Sequence, residues 1–88
     1  MYCYIIAFNL NSKDKDYSTL IEAIKSLGNC KKVLESCWIV ETHNSSNNIT
    51  RYLAGYINDE DRLFVGKLSG EATWTNVICD DEWLKDNL

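Results

Sequence analysis

Tyr2-Cys3-Tyr4-Ile5-Ile6-Ala7-Phe8-Asn9-Leu10 carries no charge, proline or glycine and is rich in aromatic and aliphatic side chains. Such a run reads as a buried strand. Alternation puts Tyr2, Tyr4, Ile6, Phe8 and Leu10 on one side and Cys3, Ile5 and Ala7 on the other, and both sets are apolar. A strand with one face in water alternates with polar residues instead. The stretch therefore predicts a central strand that needs cover on both faces. It ends in Asn9-Leu10-Asn11-Ser12, where the chain turns polar. A polar side chain fixed at the end of a rigid strand is a favourable place for a functional site.

Beyond this strand, Asn11 to Asp16 is a polar loop, after which Tyr17, Leu20, Ile21, Ile24 and Leu27 recur at helical spacing. Asp16 or Ser18 offers an N-cap oxygen, and Gly28 a stop. The run Lys31 to Glu41 is long for one strand and polar in its middle. It predicts two short strands joined near Glu35-Ser36, with Trp38 and Val40 on one face and Cys37 and Ile39 on the other. A polar turn, Thr42 to Asn48, precedes a second helical stripe of Ile49, Tyr52, Leu53, Tyr56 and Ile57. Asn58-Asp59-Glu60-Asp61 ends it, and Arg62 to Leu68 is the last strand, in which Gly66 marks a bulge or a close backbone approach. Further on, Ala72 to Cys79 predicts a short extended segment. Asp80 predicts a cap for a last helical turn or two bearing Trp83, Leu84 and Leu88.

Strand, helix, strand, strand, helix, strand is the order of an α+β fold, here a ferredoxin-like βαββαβ two-layer sandwich. Right-handed crossovers put both helices on one sheet face. Residues 1–70 form this core, and residues 71–88 an acidic C-terminal extension packed on the core or on a partner subunit. The second face of the first strand then calls for the Trp-bearing extension or another copy of the chain, which predicts a homodimer.

Composition narrows the function classes. The 88 residues make one domain, and 45% apolar content is enough for a packed core. No apolar run approaches a membrane span, and the N-terminus lacks the basic segment and cleavage site of a signal peptide. Met1 runs directly into the first strand, which predicts a complete cytoplasmic protein. Cys3, Cys30, Cys37 and Cys79 are widely spaced, without a C-x-x-C pair, and read as reduced structural thiols. With His43 the only histidine, the cysteines do not suggest a zinc site. The net charge of −4 resides in the extension: residues 1–70 hold eight acidic and eight basic side chains. That balance argues against a general nucleic-acid surface; it leaves room for a local patch around Lys13, Lys15, Lys31 and Lys32, which read first as solvated lysines flanking loops and strand ends.

Several stretches carry a family resemblance: Tyr4 to Asn11, Asp16 to Gly28, Leu34 to Val40, Asp61 to Val65, Leu68 to Trp74 and the closing Trp83-Leu84-Lys85. In these the chain resembles the small CRISPR-associated adaptation proteins of the second type (the endoribonuclease-like integration subunit). It is more similar to their stand-alone SinR-like relatives. The resemblance implies a fold of the kind described, a homodimer, and a role in phage or mobile-element defence or counter-defence. It also implies a first strand ending in an aspartate that holds a divalent metal for phosphodiester cleavage. Here that position is Asn9. Hard divalent cations are held by anionic oxygens, and a neutral amide is a weak substitute. Asp14 and Asp16 are the nearest carboxylates, in the loop rather than on the strand.

Asn9 thus reads either as a turn residue bonding local backbone or as an inherited metal position without ligand charge. No catalytic residue is assigned and no cofactor is expected. Asn9, Asn11, Ser12, Tyr17 and Trp38 are the candidate ligand-binding residues. Glu41 and His43 at a strand end read as solvated, and no glycine-rich phosphate loop or serine triad is present. The function expected is a non-catalytic dimeric module that binds a protein or a small ligand. The competing readings are a magnesium- or manganese-dependent nuclease and a nucleic-acid scaffold without cleavage.

Overall fold

The computed structural model describes residues 1–11 and 17–88. Its elements run β1 (Tyr2–Asn9), α1 (Ser18–Ser26), β2 (Asn29–Leu34), β3 (Cys37–Thr42), α2 (Ser46–Ala54), β4 (Arg62–Lys67) and α3 (Asp81–Asn87). The four strands form one antiparallel sheet in the order β2-β3-β1-β4. The two strand-helix-strand units interleave, so that β1 and β2 flank β3 while β3 and β4 flank β1. The apolar β1 is accordingly an inner strand, paired on both sides. Among the described residues, no helix is long and apolar enough to cross a membrane.

Each sheet face has its own core, because side chains alternate along a strand. Tyr4, Ile6 and Phe8 of β1 join Trp38 and Val40 of β3 on the first face. Leu20, Ala23 and Ile24 of α1 and Ile49 and Leu53 of α2 close over them. Ile6, Leu20, Ile24, Val40, Ile49 and Leu53 are completely buried, each contributing roughly 1.5–3 kcal/mol by removal from water. On the second face, Ile39, Cys37 and Val33 pack with the half-buried Cys3, Ile5 and Ala7. There the extension supplies the cover, through Trp74, Val77, Trp83, Leu84 and Leu88. Of the two covers considered for this face, it is the chain's own extension that lies on it.

Local chemistry explains most element ends. Ser45 caps α2 by accepting the Asn48 N–H at 3.1 Å. Asp80 caps α3 by accepting the Trp83 N–H at 2.8 Å. At α1 Ser18 is the first helical residue rather than the cap, and Tyr17 takes the N-cap position without a side-chain cap bond; the other expected cap, Asp16, lies outside the described residues. Gly28 is required by close approach, since a Cβ there would collide with the Glu41 carbonyl oxygen. Helix α2 stops at Ala54, so Tyr56 and Ile57 reach the first core from the turn that follows. Ala72 to Cys79 forms no strand; Asn76, at φ 57°, breaks its extended course. The β2–β3 turn falls at Glu35-Ser36 as expected, with a bulge between Lys32 and Leu34.

Candidate functional site

The end of β1 meets the start of β4, with Asn9 opposite Arg62 and Phe8 opposite Leu63. Because alternation continues through this corner, its residues divide between the two faces of the sheet. Asn9 follows Ile5 and Ala7 onto the second face, where Arg62 and Phe64 are its cross-strand neighbours. Asp61 and Tyr17 meet on the helix-covered side.

On that side Asp61 is the organising residue. It is 9% exposed, and among the described residues three donors reach its carboxylate. The Asn11 backbone N–H donates to one oxygen at 2.8 Å. The Asn58 N–H donates to the other at 2.8 Å. The Tyr17 hydroxyl lies 2.8 and 2.9 Å from the two. A buried carboxylate is tolerated when its lone pairs are met in this way. The Asp61 N–H donates back to the Asn58 carbonyl at 3.0 Å, closing the turn before β4. The Asn11 side-chain amide adds a bond to the Glu60 carbonyl. Together these bonds clamp the β1 exit to the β4 entry.

On the second face Asn9 is exposed. It borders a shallow hollow of about 190 Å³ with Ala7, Arg62 and Phe64. Phe64 is 65% exposed, and its ring leans over Gly66, whose missing Cβ leaves the room. The sequence predicts a bulge or a close backbone approach at Gly66; β4 pairs regularly there, and what comes near is a side-chain ring of the same strand. The extension leaves this corner of the face open, and among the described residues β4 is an edge strand with no strand on its outer side.

The candidate ligand-binding residues are therefore not gathered into one pocket. Asn11 and Tyr17 come together, but on Asp61 rather than on Asn9. Trp38, 7% exposed, sits in the helix-side core, and its indole N–H finds no acceptor among the described residues. Ser12 lies outside the described residues, as do Lys13, Asp14, Lys15 and Asp16. Of the other two lysines, Lys31 is exposed, while Lys32 stands 3.5 Å from Glu35. The other aromatic surface is a groove between α1 and α2, where Tyr52 and Tyr56 meet edge-on at 5.5 Å. There the Tyr52 and Ser26 oxygens are 3.0 Å apart.

Sequence reasoning missed Asp61. Its only signal was position, as the last acid before a strand that starts opposite Asn9. The four thiols are free, and burial pushes each of them above its ordinary value. Cys3 donates to the Asn87 carbonyl at 2.8 Å, fastening the end of α3 to β1. In comparisons with known proteins, no family model, curated protein or solved structure matches the chain.

Proposed function

We propose that this chain is a non-catalytic binding module of ferredoxin-like topology that works as a homodimer and presents the corner around Phe64. The strand order supports the topology: read from the other edge it is β4-β1-β3-β2, with both crossover helices on one face. The resemblance to the SinR-like group points the same way.

One observation carries the functional reading. At the end of β1 a neutral amide, Asn9, faces a cation, Arg62, beside an exposed aromatic ring, Phe64. A fixed positive charge opposes a divalent cation at this position. The neighbouring carboxylate, Asp61, is directed to the other face and engaged by donors from Asn11, Tyr17 and Asn58. An exposed aromatic next to an arginine on an open strand edge suits protein recognition, where such residues concentrate binding energy. A standard interface takes about 800 Å² from each partner, roughly a seventh of this chain's 5706 Å² surface. The hollow beside Asn9 is too small for that alone, so the edge of β4 takes part.

Sedimentation of the native chain and of Phe64→Asp at about 50 μM, well above a Kd of ~1 μM, tests the reading. The native chain is expected to be a dimer and Phe64→Asp a folded monomer. A native monomer at that concentration removes the dimer. Chelator-sensitive cleavage of RNA or DNA by the native chain removes the non-catalytic assignment.

A further inference from the structure

The extension covers the second sheet face without filling the space beneath it. Between them lies a cavity of about 180 Å³, with Ile5, Cys37 and Ile39 on the sheet side, Val33 beside them, and Trp74 and Leu84 across from them. No charged residue lines it. The Trp74 indole N–H is already donated to Asp81 at 3.0 Å. The hollow follows from local sequence: Cys37 and its cross-strand neighbour Ala7 are small side chains, and the overlying Ala72 and Thr73 are short. The overlying chain is also lightly held. Residues 69–77 form neither helix nor strand. Leu68 N–H to the Cys3 carbonyl (2.8 Å) and Ile78 N–H to the Val33 carbonyl (3.0 Å) anchor the chain on either side of them.

We infer that this cavity is a binding site for a small uncharged aromatic molecule of one or two fused rings. An apolar cavity of about 150 Å³ in another protein takes up benzene, and the hollow here, partly open to solvent, has room for a ring of that size. A lining without charge excludes ions, which lose their hydration without compensation. Trp74 offers a ring for edge or offset contact. The cavity shares no lining residue with the hollow beside Asn9, so the site stands apart from the proposed dimer surface.

Indole titrated into the full chain with labelled methyl groups provides the test. Saturable shifts are expected at Ile5, Val33, Ile39 and Leu84, together with a melting temperature that rises with indole concentration. Cys37→Leu, which fills the hollow from the sheet, is expected to weaken binding at least about tenfold. Ala72→Leu fills it from the exposed extension and gives the same loss where Cys37→Leu does not fold. No saturable shift up to the solubility of indole would overturn the site. So would shifts confined to the methyl groups of Ala7 and Leu63 beside Phe64 or of Ala23 beside the Tyr52–Tyr56 groove, or undiminished affinity in a folded filling variant.

Discussion

The Tyr17 hydroxyl lies 2.8 and 2.9 Å from the two carboxylate oxygens of Asp61, 44 positions away along the chain. It ties the start of α1 to the start of β4 at the point where β1 ends. The contact is structural, and it can be measured as such. Asp61→Asn puts an NH2 group against backbone N–H donors and is expected to destabilise the fold by about 1–3 kcal/mol in urea titration. Tyr17→Phe should cost about 1 kcal/mol. The double variant should cost less than the sum of the two; strict additivity would show that the hydroxyl and the carboxylate do not support one another.

Asn9→Asp tests the other side of the same corner. The new carboxylate stands opposite Arg62 in the register of β1 and β4. An opposite-charge pair across strands contributes about 0.2–1 kcal/mol, so a small rise in stability is expected, shrinking with added salt. A loss of stability would mean that Asn9 makes bonds an aspartate cannot replace.

Leu84 is 1% exposed and is the most deeply buried residue of the extension. Leu84→Ala is expected to cost about 2–5 kcal/mol, and truncation before Asp80 should lower the melting temperature at least as much. Thermal unfolding of both variants, followed by tryptophan fluorescence, makes the comparison. An unchanged transition would show that the extension only rests on the sheet.

Two glycines should respond with opposite signs. Gly55, at φ −69°, has nothing closer to an added Cβ than the Tyr52 carbonyl oxygen at 3.6 Å. Gly55→Ala is expected to stabilise by about 0.4–1 kcal/mol through the unfolded chain. Gly28→Ala drives a methyl into the Glu41 carbonyl and should cost more than about 1 kcal/mol. Equal effects in urea titration would contradict the close approach of the α1–β2 turn to β3.

The thiols set an alkaline limit. Burial is the first cause of the raised values at Cys3, Cys30, Cys37 and Cys79; Glu41 adds to it at Cys3, and Asp80 and Asp81 at Cys79. Between the unfolded value, ordinarily 9.0, and the raised folded values, the unfolded chain binds fewer protons than the native one. Stability therefore declines with rising pH across that window and is undiminished below it. Urea midpoints from pH 7 to 10.5 should fall only above about pH 9. Cys37→Ala should flatten the fall, and an equally steep decline in that variant would assign it to other groups.

Much of the layout is legible in local sequence. The double apolar alternation of residues 2–8 predicts an inner strand, and Trp38/Val40 against Cys37/Ile39 separate into the two cores as parity requires. Other features depend on contacts that local pattern does not encode. Asp59, Glu60 and Asp61 are adjacent acids, and only the pairing of Asn9 with Arg62 determines that the third turns inward. Tyr56 and Ile57 continue the spacing of α2 but pack from a turn, since a helical stripe and a well-placed loop bury the same side chains. Asn9, Tyr17 and Trp38 suggest a cluster by kind, whereas strand parity puts Asn9 on the second face and leaves Tyr17 and Trp38 on the helix-covered side.

The thiol of Cys3 and the carbonyl of Asn87 meet across 84 positions of the chain, which orders events during synthesis. The first strand leaves the ribosome long before the helix that shelters its second face. Until residues 81–87 emerge, Ile5, Ala7 and Ile39 lack the cover of Trp83 and Leu84 and are left with Trp74 and Val77 of the extension over them, in a state prone to association. A nascent chain stalled before Asp80 would carry a thinly covered apolar sheet face, and the emergence of α3 is the step that closes it.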